Sequence, residues 1–285
     1  MPRLQPALIL IGVVLVRAFA GASGLGSLVV AGAAPRPLVQ GLNIAADEVT
    51  TDSGGTALQA RGHVQVAYGG ILAKADQLHW DRPIGSAKLT GHVVVIEPQI
   101  RVTGDAVSLE VTGPAYRVAS AVVTGHATFE SPQYALAADE ITADRQSGLL
   151  AARGHLTLFS APDVIITGER GAYDQHAQYA VVTGGAAVAN KDGHLKGEWI
   201  ELFRASGRAV VHGPVNAELY GTTITGEQAA VTFQTLTAVF TGHVIIAQRA
   251  GTVWADQATL SYGDRRIVAE GTTRARLADV ESGTP

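Results

Sequence analysis

Apolar residues alternate with polar ones along most of this chain, in segments of about a dozen residues separated by turn residues. The segments themselves recur. Each unit carries an acid preceded by Ala or Gly, then a Gly: the acids are Asp47, Asp76, Asp105, Asp139, Glu169, Glu198, Glu227 and Asp256. The glycines are Gly62, Gly91, Gly125, Gly154, Gly184, Gly213, Gly242 and Gly271. Acid and Gly are 15 residues apart in seven units and 20 apart in the third. That third copy therefore holds a five-residue insertion, placed near Gly113 and Pro114. A phase held from Asp47 to Gly271 identifies about eight repeats of 29 residues.

Each unit has two turn regions, such as Pro83-Ile84-Gly85 after the acid and Glu97-Pro98 after the Gly. Two strands per unit follow, sixteen in all, joined as an antiparallel meander. Counting outward from each Gly, the even offsets are apolar in 31 of 32 places. Among them are Leu58 four before; Leu89, Val123, Val182, Val211 and Phe240 two before; Val64, Val93, Leu156, Val215 and Val244 two after; and Val66, Val95, Phe129, Leu158, Val188 and Ile246 four after. Period two in a strand puts all of them on one buried face. The Gly lies on that same face and leaves a line without side chains, where a sheet can crease.

The other strand of each unit behaves differently. Apolar residues stand three before the acid, as in Ile44, Ala73 and Val102, but two and four after it, as in Leu78, Trp80, Val107 and Leu109. Such a change of parity marks a bulge or sharp bend at the acid. If the turns lie midway, the acid of one strand falls beside the Gly of the next. Every strand is then V-shaped, and the bends align into a trough with apolar walls.

Composition supports sheet and narrows the chemistry. The chain is 47% hydrophobic, only 6% aromatic, and contains 33 Gly, so small β-formers carry the packing. It has no Cys, which excludes disulfides, thiolate zinc sites and thiol nucleophiles. Three of the 21 basic residues (Arg3, Arg17 and Arg36) fall in 1–40, leaving 18 against 25 acids. No basic cluster remains, so nucleic acid is set aside as a partner.

The first 40 residues stand apart. An apolar run, Ala7 to Val16, follows Arg3, and Ala18-Phe19-Ala20 and Ala31-Gly32-Ala33 have the form of signal-peptidase sites. A secretory signal peptide with a short linker is expected over 1–40, with export to the periplasm. The alternative is an uncleaved inner-membrane anchor, although Arg17 leaves the apolar run short for a span. Residues 278–285 are expected to form a disordered tail.

Several motifs invite sharper chemistry. Gly-His recurs at His63, His92, His126, His155 and His243. Equivalent positions lie two strands, about 10 Å, apart, too far for one metal ion to bridge. The acids run in the same single file, without the paired carboxylates that a glycosidase needs. Both sets are assigned to the bend itself, the carboxylates accepting backbone N–H groups freed there. Trp80, Trp199 and Trp254 are assigned to core or edge. With no phosphate loop, nucleophile elbow or triad spacing, no enzyme activity, cofactor or metal is expected.

The pattern apolar-x-Ala/Gly-Asp, a turn, then Thr-Gly-His/Asn-Val-x-Val resembles the OstA-like family, which includes LptA, LptC and the N-terminal domain of LptD. Residues 71–96 (ILAKADQLHW…AKLTGHVVVI) and 134–158 carry it best, and it extends over 41–277. The resemblance implies an elongated all-β antiparallel β-jellyroll, or β-taco. It implies a periplasmic bridge shielding the acyl chains of lipid A during lipopolysaccharide transport to the outer membrane. It further implies stacking on LptC-like and LptD-like proteins or a head-to-tail homo-oligomer. Eight repeats exceed the usual number for LptA, and Gly185 and Pro214 replace the His. Arg61 and Arg153 are candidates for lipid A phosphates at a charged rim. An anchored LptC-like component, a polysaccharide-active β-solenoid enzyme and a structural scaffold without cargo stand as alternatives.

Overall fold

Period-two alternation of apolar and polar residues, rich in Val and Thr and poor in Lys, leaves extended backbone as the economical way to bury one side of each segment. The computed structural model describes residues 42–68, 70–112, 117–132, 134–160 and 163–277. The expected leader over 1–40 and tail over 278–285 lie outside those residues. The described chain divides into two compact units, 42–154 and 155–277.

The first unit contains β1 (Asn43–Ala45), β2 (Glu48–Thr51), β3 (Ala57–Tyr68), β4 (Ile71–Asp81), β5 (Ser86–Glu97), β6 (Ile100–Thr112), β7 (Arg117–Glu130) and β8 (Tyr134–Asp144). The boundary falls within β9 (Leu149–Ser160). The second unit contains β10 (Val164–Asp174), β11 (Tyr179–Thr183), β12 (Ala187–Asn190), β13 (Gly193–Lys196), β14 (Trp199–Phe203), β15 (Arg208–Leu219), β16 (Thr222–Thr232), β17 (Thr237–Gln248), β18 (Gly251–Ser261), β19 (Arg266–Glu270) and β20 (Arg274–Leu277). Successive strands pair antiparallel, for example β3 with β4, β4 with β5, and β16 with β17. The chain is all-β, the antiparallel jellyroll expected. Twenty strand segments reconcile with sixteen bent strands, because four strands are interrupted at the bend: β1/β2, β11/β12, β13/β14 and β19/β20.

The register contains the bend that the parity change anticipates. Arg61 opposes Gln77 and Val64 opposes Ala75, so Gly62 and His63 together face Asp76 alone. The same two-against-one step occurs between His212 and Val215 on β15 and between Thr241 and Val244 on β17. An extra residue in one strand bends it and re-aims its side chains. The insertion expected near Gly113 and Pro114 falls on residues outside those described. β6 and β7 run to 13 and 14 residues, and an added irregularity follows Glu110. The Val111 N–H there donates to the Gly85 carbonyl of a neighbouring turn at 2.6 Å.

Aspartates close several turns. Asp52, Asp81, Asp144 and Asp174 each accept backbone N–H groups two to five residues on, at 2.6–3.3 Å. A short carboxylate satisfying these donors is the usual device for ending a strand sharply.

The inward faces form the core. In the first unit Ala60, Val64, Leu89, Val93, Val123 and Phe129 are buried. In the second, Val211, Val215, Ile224, Phe240, Val244 and Ile246 belong to one cluster, with Val182, Val188 and Leu195 packed against it. Phe240 is fully buried, so Phe240→Ala should cost about 3–5 kcal/mol of stability. Chemical denaturation reads this; a loss below about 1 kcal/mol would mean that the interior yields around the deleted ring.

Candidate functional site

Two features recur in every unit and together form the candidate site: the inward apolar columns and the bend that folds them into a trough. All seventeen inward residues named from the sequence face the interior. Twelve are buried; Leu58, Val66, Val95, Val182 and Val188 are half-buried. The columns run out at β20, where Thr273 and Ala275 are exposed. Trp80 joins the inner wall, as expected of a core residue.

The bend rests on a backbone conformation rarely open to side chains. The eight crease glycines all have φ between 73 and 87°. At each, the surface a Cβ would occupy is taken by the acid of the preceding strand. At Gly91, for instance, an added Cβ would collide with the Asp76 carboxylate. Acid and Gly are therefore neighbours across strands, as the hairpin spacing requires. Glycine is needed there twice over, for its left-handed φ and for the carboxylate's space.

The following residue is also left-handed. His63, His92, His126, His155 and His243 have φ between 47 and 49°. A side chain in that region carries strain on the order of 1–2 kcal/mol. Compensation comes from the same acid. His63 Nδ1 lies 2.8 Å from Asp47 Oδ2, His92 Nδ1 2.9 Å from Asp76 Oδ2, and His243 Nδ1 2.7 Å from Glu227 Oε1. His126 and Asp105 are farther apart, at 3.4 Å. These rings are highly exposed on the outer side of the bend.

The acid's principal partner thus differs from the expected one. Asp256 does accept a freed backbone N–H, from Thr272 at 2.7 Å, where no His is available. In the units with a resolved pair the imidazole takes that place. The signal was present in the sequence as an acid-to-His separation of 16 residues in four units and 21 in the third, but it required the register to become a contact. Among the described residues no group of three or more His, Asp or Glu gathers as a metal would require. Arg61 and Arg153 are exposed and stand immediately before their crease glycines. They sit at the bend.

No protein-family model and no curated protein matches the chain. Among solved structures, it is similar to the crystal structure of LptH, the LptA-homologous periplasmic component of the lipopolysaccharide transport device of Pseudomonas aeruginosa. The identity is 19% and the TM-score 0.35, over 40% of this chain and 82% of that one.

Two predictions follow from the bend. Gly91→Ala should destabilise more than Gly55→Ala, because both have positive φ but only Gly91 abuts a carboxylate. The difference, on the order of 1–3 kcal/mol, is measurable by thermal melting, and equal losses would remove the packing role of the acid. The hydrogen bond that His63 donates to Asp47, and then the charge of that carboxylate, raise His63 above the usual 6.5; Asp76 does the same for His92. A raised folded-state value stabilises fully below the unfolded 6.5 and is lost as pH rises through the folded value. NMR titration should place both imidazoles above 6.5, and Asp47→Asn and Asp76→Asn should return them toward it. Titration unchanged by those substitutions would dissolve the pairing.

Proposed function

We propose that this protein is a lipid-binding conduit of the cell envelope, holding the acyl chains of lipopolysaccharide in its apolar interior and carrying it between membranes. The observation that carries this reading is the inner wall. Seventeen recurring positions present aliphatic and aromatic side chains inward and no charge. An acyl chain is recognised by continuous apolar surface, at about 25 cal/mol for each Å² withdrawn from water. A sheet bent along one line supplies such a surface while its outer face stays polar. The OstA-like repeat pattern of the sequence supports the same cargo, the periplasm as its location, and a role without catalysis.

The inner side chains pack on one another: Val211, Val215, Phe240 and Val244 are fully buried.

Partners are proposed at the free strand edges. Among the described residues β1 and β2 pair only with β3, and β19 and β20 only with β18. β20 is exposed throughout, and Leu277 is 79% exposed. An unpaired edge can add a strand from another chain, which suits LptC-like and LptD-like proteins or a second copy stacked head to tail.

A photo-crosslinker tests the orientation. Placed at Val95 or Leu158, on the inner face, it should capture lipopolysaccharide in vivo; placed at the exposed His92 it should not. Equal capture at all three positions would overturn the trough, and lipid-free protein on extraction and mass spectrometry would leave only a scaffold.

A further inference from the structure

In unit 155–277 the outer side of the crease departs from its own pattern at two neighbouring bends. The residue after the crease Gly is Gly185 at one and Pro214 at the next, where five other bends carry His. With no imidazole at either place, a shallow cavity of about 570 Å³ opens on the outer surface. Thr183, Gly185, Lys196, Glu198, Trp199 and Pro214 bound it.

Trp199 is the feature that gives this cavity a chemistry. It occupies the first position after the acid, where none of the other seven units has an aromatic residue. The register sets it between Thr183 on one strand and His212 on the other. Its indole stacks on the His212 ring at 4.7 Å between centroids and 9° between planes. The side toward the small Thr183 is the cavity side, and Trp199 remains 37% exposed.

The platform is held rigid from behind. His212 Nε2 lies 2.7 Å from Glu201 Oε2, and its Nδ1 lies 3.2 Å from Gln228 Nε2. Glu201 also accepts the Tyr179 hydroxyl at 2.6 Å. Burial, and then Glu201 itself, push that hydroxyl up to about 12, so it stays a donor at neutral pH. Four side chains thus fix one indole, which removes the ordering cost that a mobile ring would add to binding. In front of it stand two exposed side chains of opposite charge, Lys196 and Glu198. Among the described residues neither has a hydrogen-bond or ion-pair partner.

We propose that this cavity binds a saccharide, with a pyranose ring lying on the open face of Trp199 and its hydroxyls meeting Lys196 and Glu198. A pyranose is apolar on the face formed by its C–H bonds and polar around its rim. A fixed aromatic plane flanked by a donor and an acceptor matches both parts. A phosphate-bearing ligand suits the site poorly, because its single lysine shares the cavity with the Glu198 carboxylate. Phe203, 37% exposed, continues the same outer face about 13 Å along the strand and packs on Tyr179, so an oligosaccharide has a second ring to meet. This site lies on the outside of the bend and is independent of the lipid reading.

The test uses the full chain on an array of neutral, acidic and amino pyranose oligosaccharides, followed by tryptophan fluorescence titration with any glycan retained. Trp199→Ala should weaken binding by on the order of tenfold or more, and Trp199→Phe should keep most of it. Gly185→His restores the residue found at five other bends. Its φ of 70° suits a left-handed residue, and a Cβ there meets nothing within 4 Å. That variant should melt at or above the wild-type temperature and keep saccharide binding, because its ring would turn to Glu169, as the other crease imidazoles turn to the acid of the preceding strand. Binding of no glycan by the wild type would overturn the proposal, as would binding unchanged in Trp199→Ala. Loss of lipopolysaccharide capture at Val95 would leave it untouched, since that concerns the inner face.

Discussion

One contact repeated eight times sets the geometry of this protein: a carboxylate pressed against a glycine on the next strand. Sheets resist sharp bending because each residue's side chain stands in the way and each backbone group is committed to a ladder. Here the glycine removes the side chain, its left-handed φ turns the chain, and the acid fills the space that would otherwise admit water. Where His follows, a second left-handed residue deepens the bend, and its ring returns to the same carboxylate. The strain of the His is offset locally, one unit at a time, so the bend does not depend on any distant element.

From that line the rest follows in order. Because the extra residue occurs at every bend, the two limbs of each strand keep their apolar residues on one side despite the change of parity. The inner faces therefore meet, and the interior excludes water from Val64 and Val93 in one unit and from Val215 and Val244 in the other. The same bulge leaves the strand ends free of that constraint, which is where the turns vary and where the third repeat absorbs its insertion.

A repeat also makes departures meaningful. A lost His at two adjacent bends exposes the carboxylate of Glu198 and the face of Trp199 together, while the surrounding sheet stays in register. Evolution of a surface site in such a fold needs only the removal of a ring and the placement of another, because the backbone beneath is held by its neighbours. The aromatic contacts of Arg265 with Tyr220 and Arg274 with Trp254 show the outer face being used elsewhere in unit 155–277.

Most of the fold was legible in the residues alone, for a physical reason. Period-two alternation, the 15-residue phase of acid and Gly, and the parity change at the acid are all local or near-local, so they survive in one dimension. They determined the strands, the inner columns and the bend. What the tertiary structure decided are the cross-strand relations. It paired His63, His92 and His243 with the acid 16 residues earlier and packed the inner walls on themselves. It also lifted Trp199 out of the class of core tryptophans, where Trp80 belongs, and set it on His212. None of these is a property of spacing, because each depends on which residues the register brings opposite one another across the sheet.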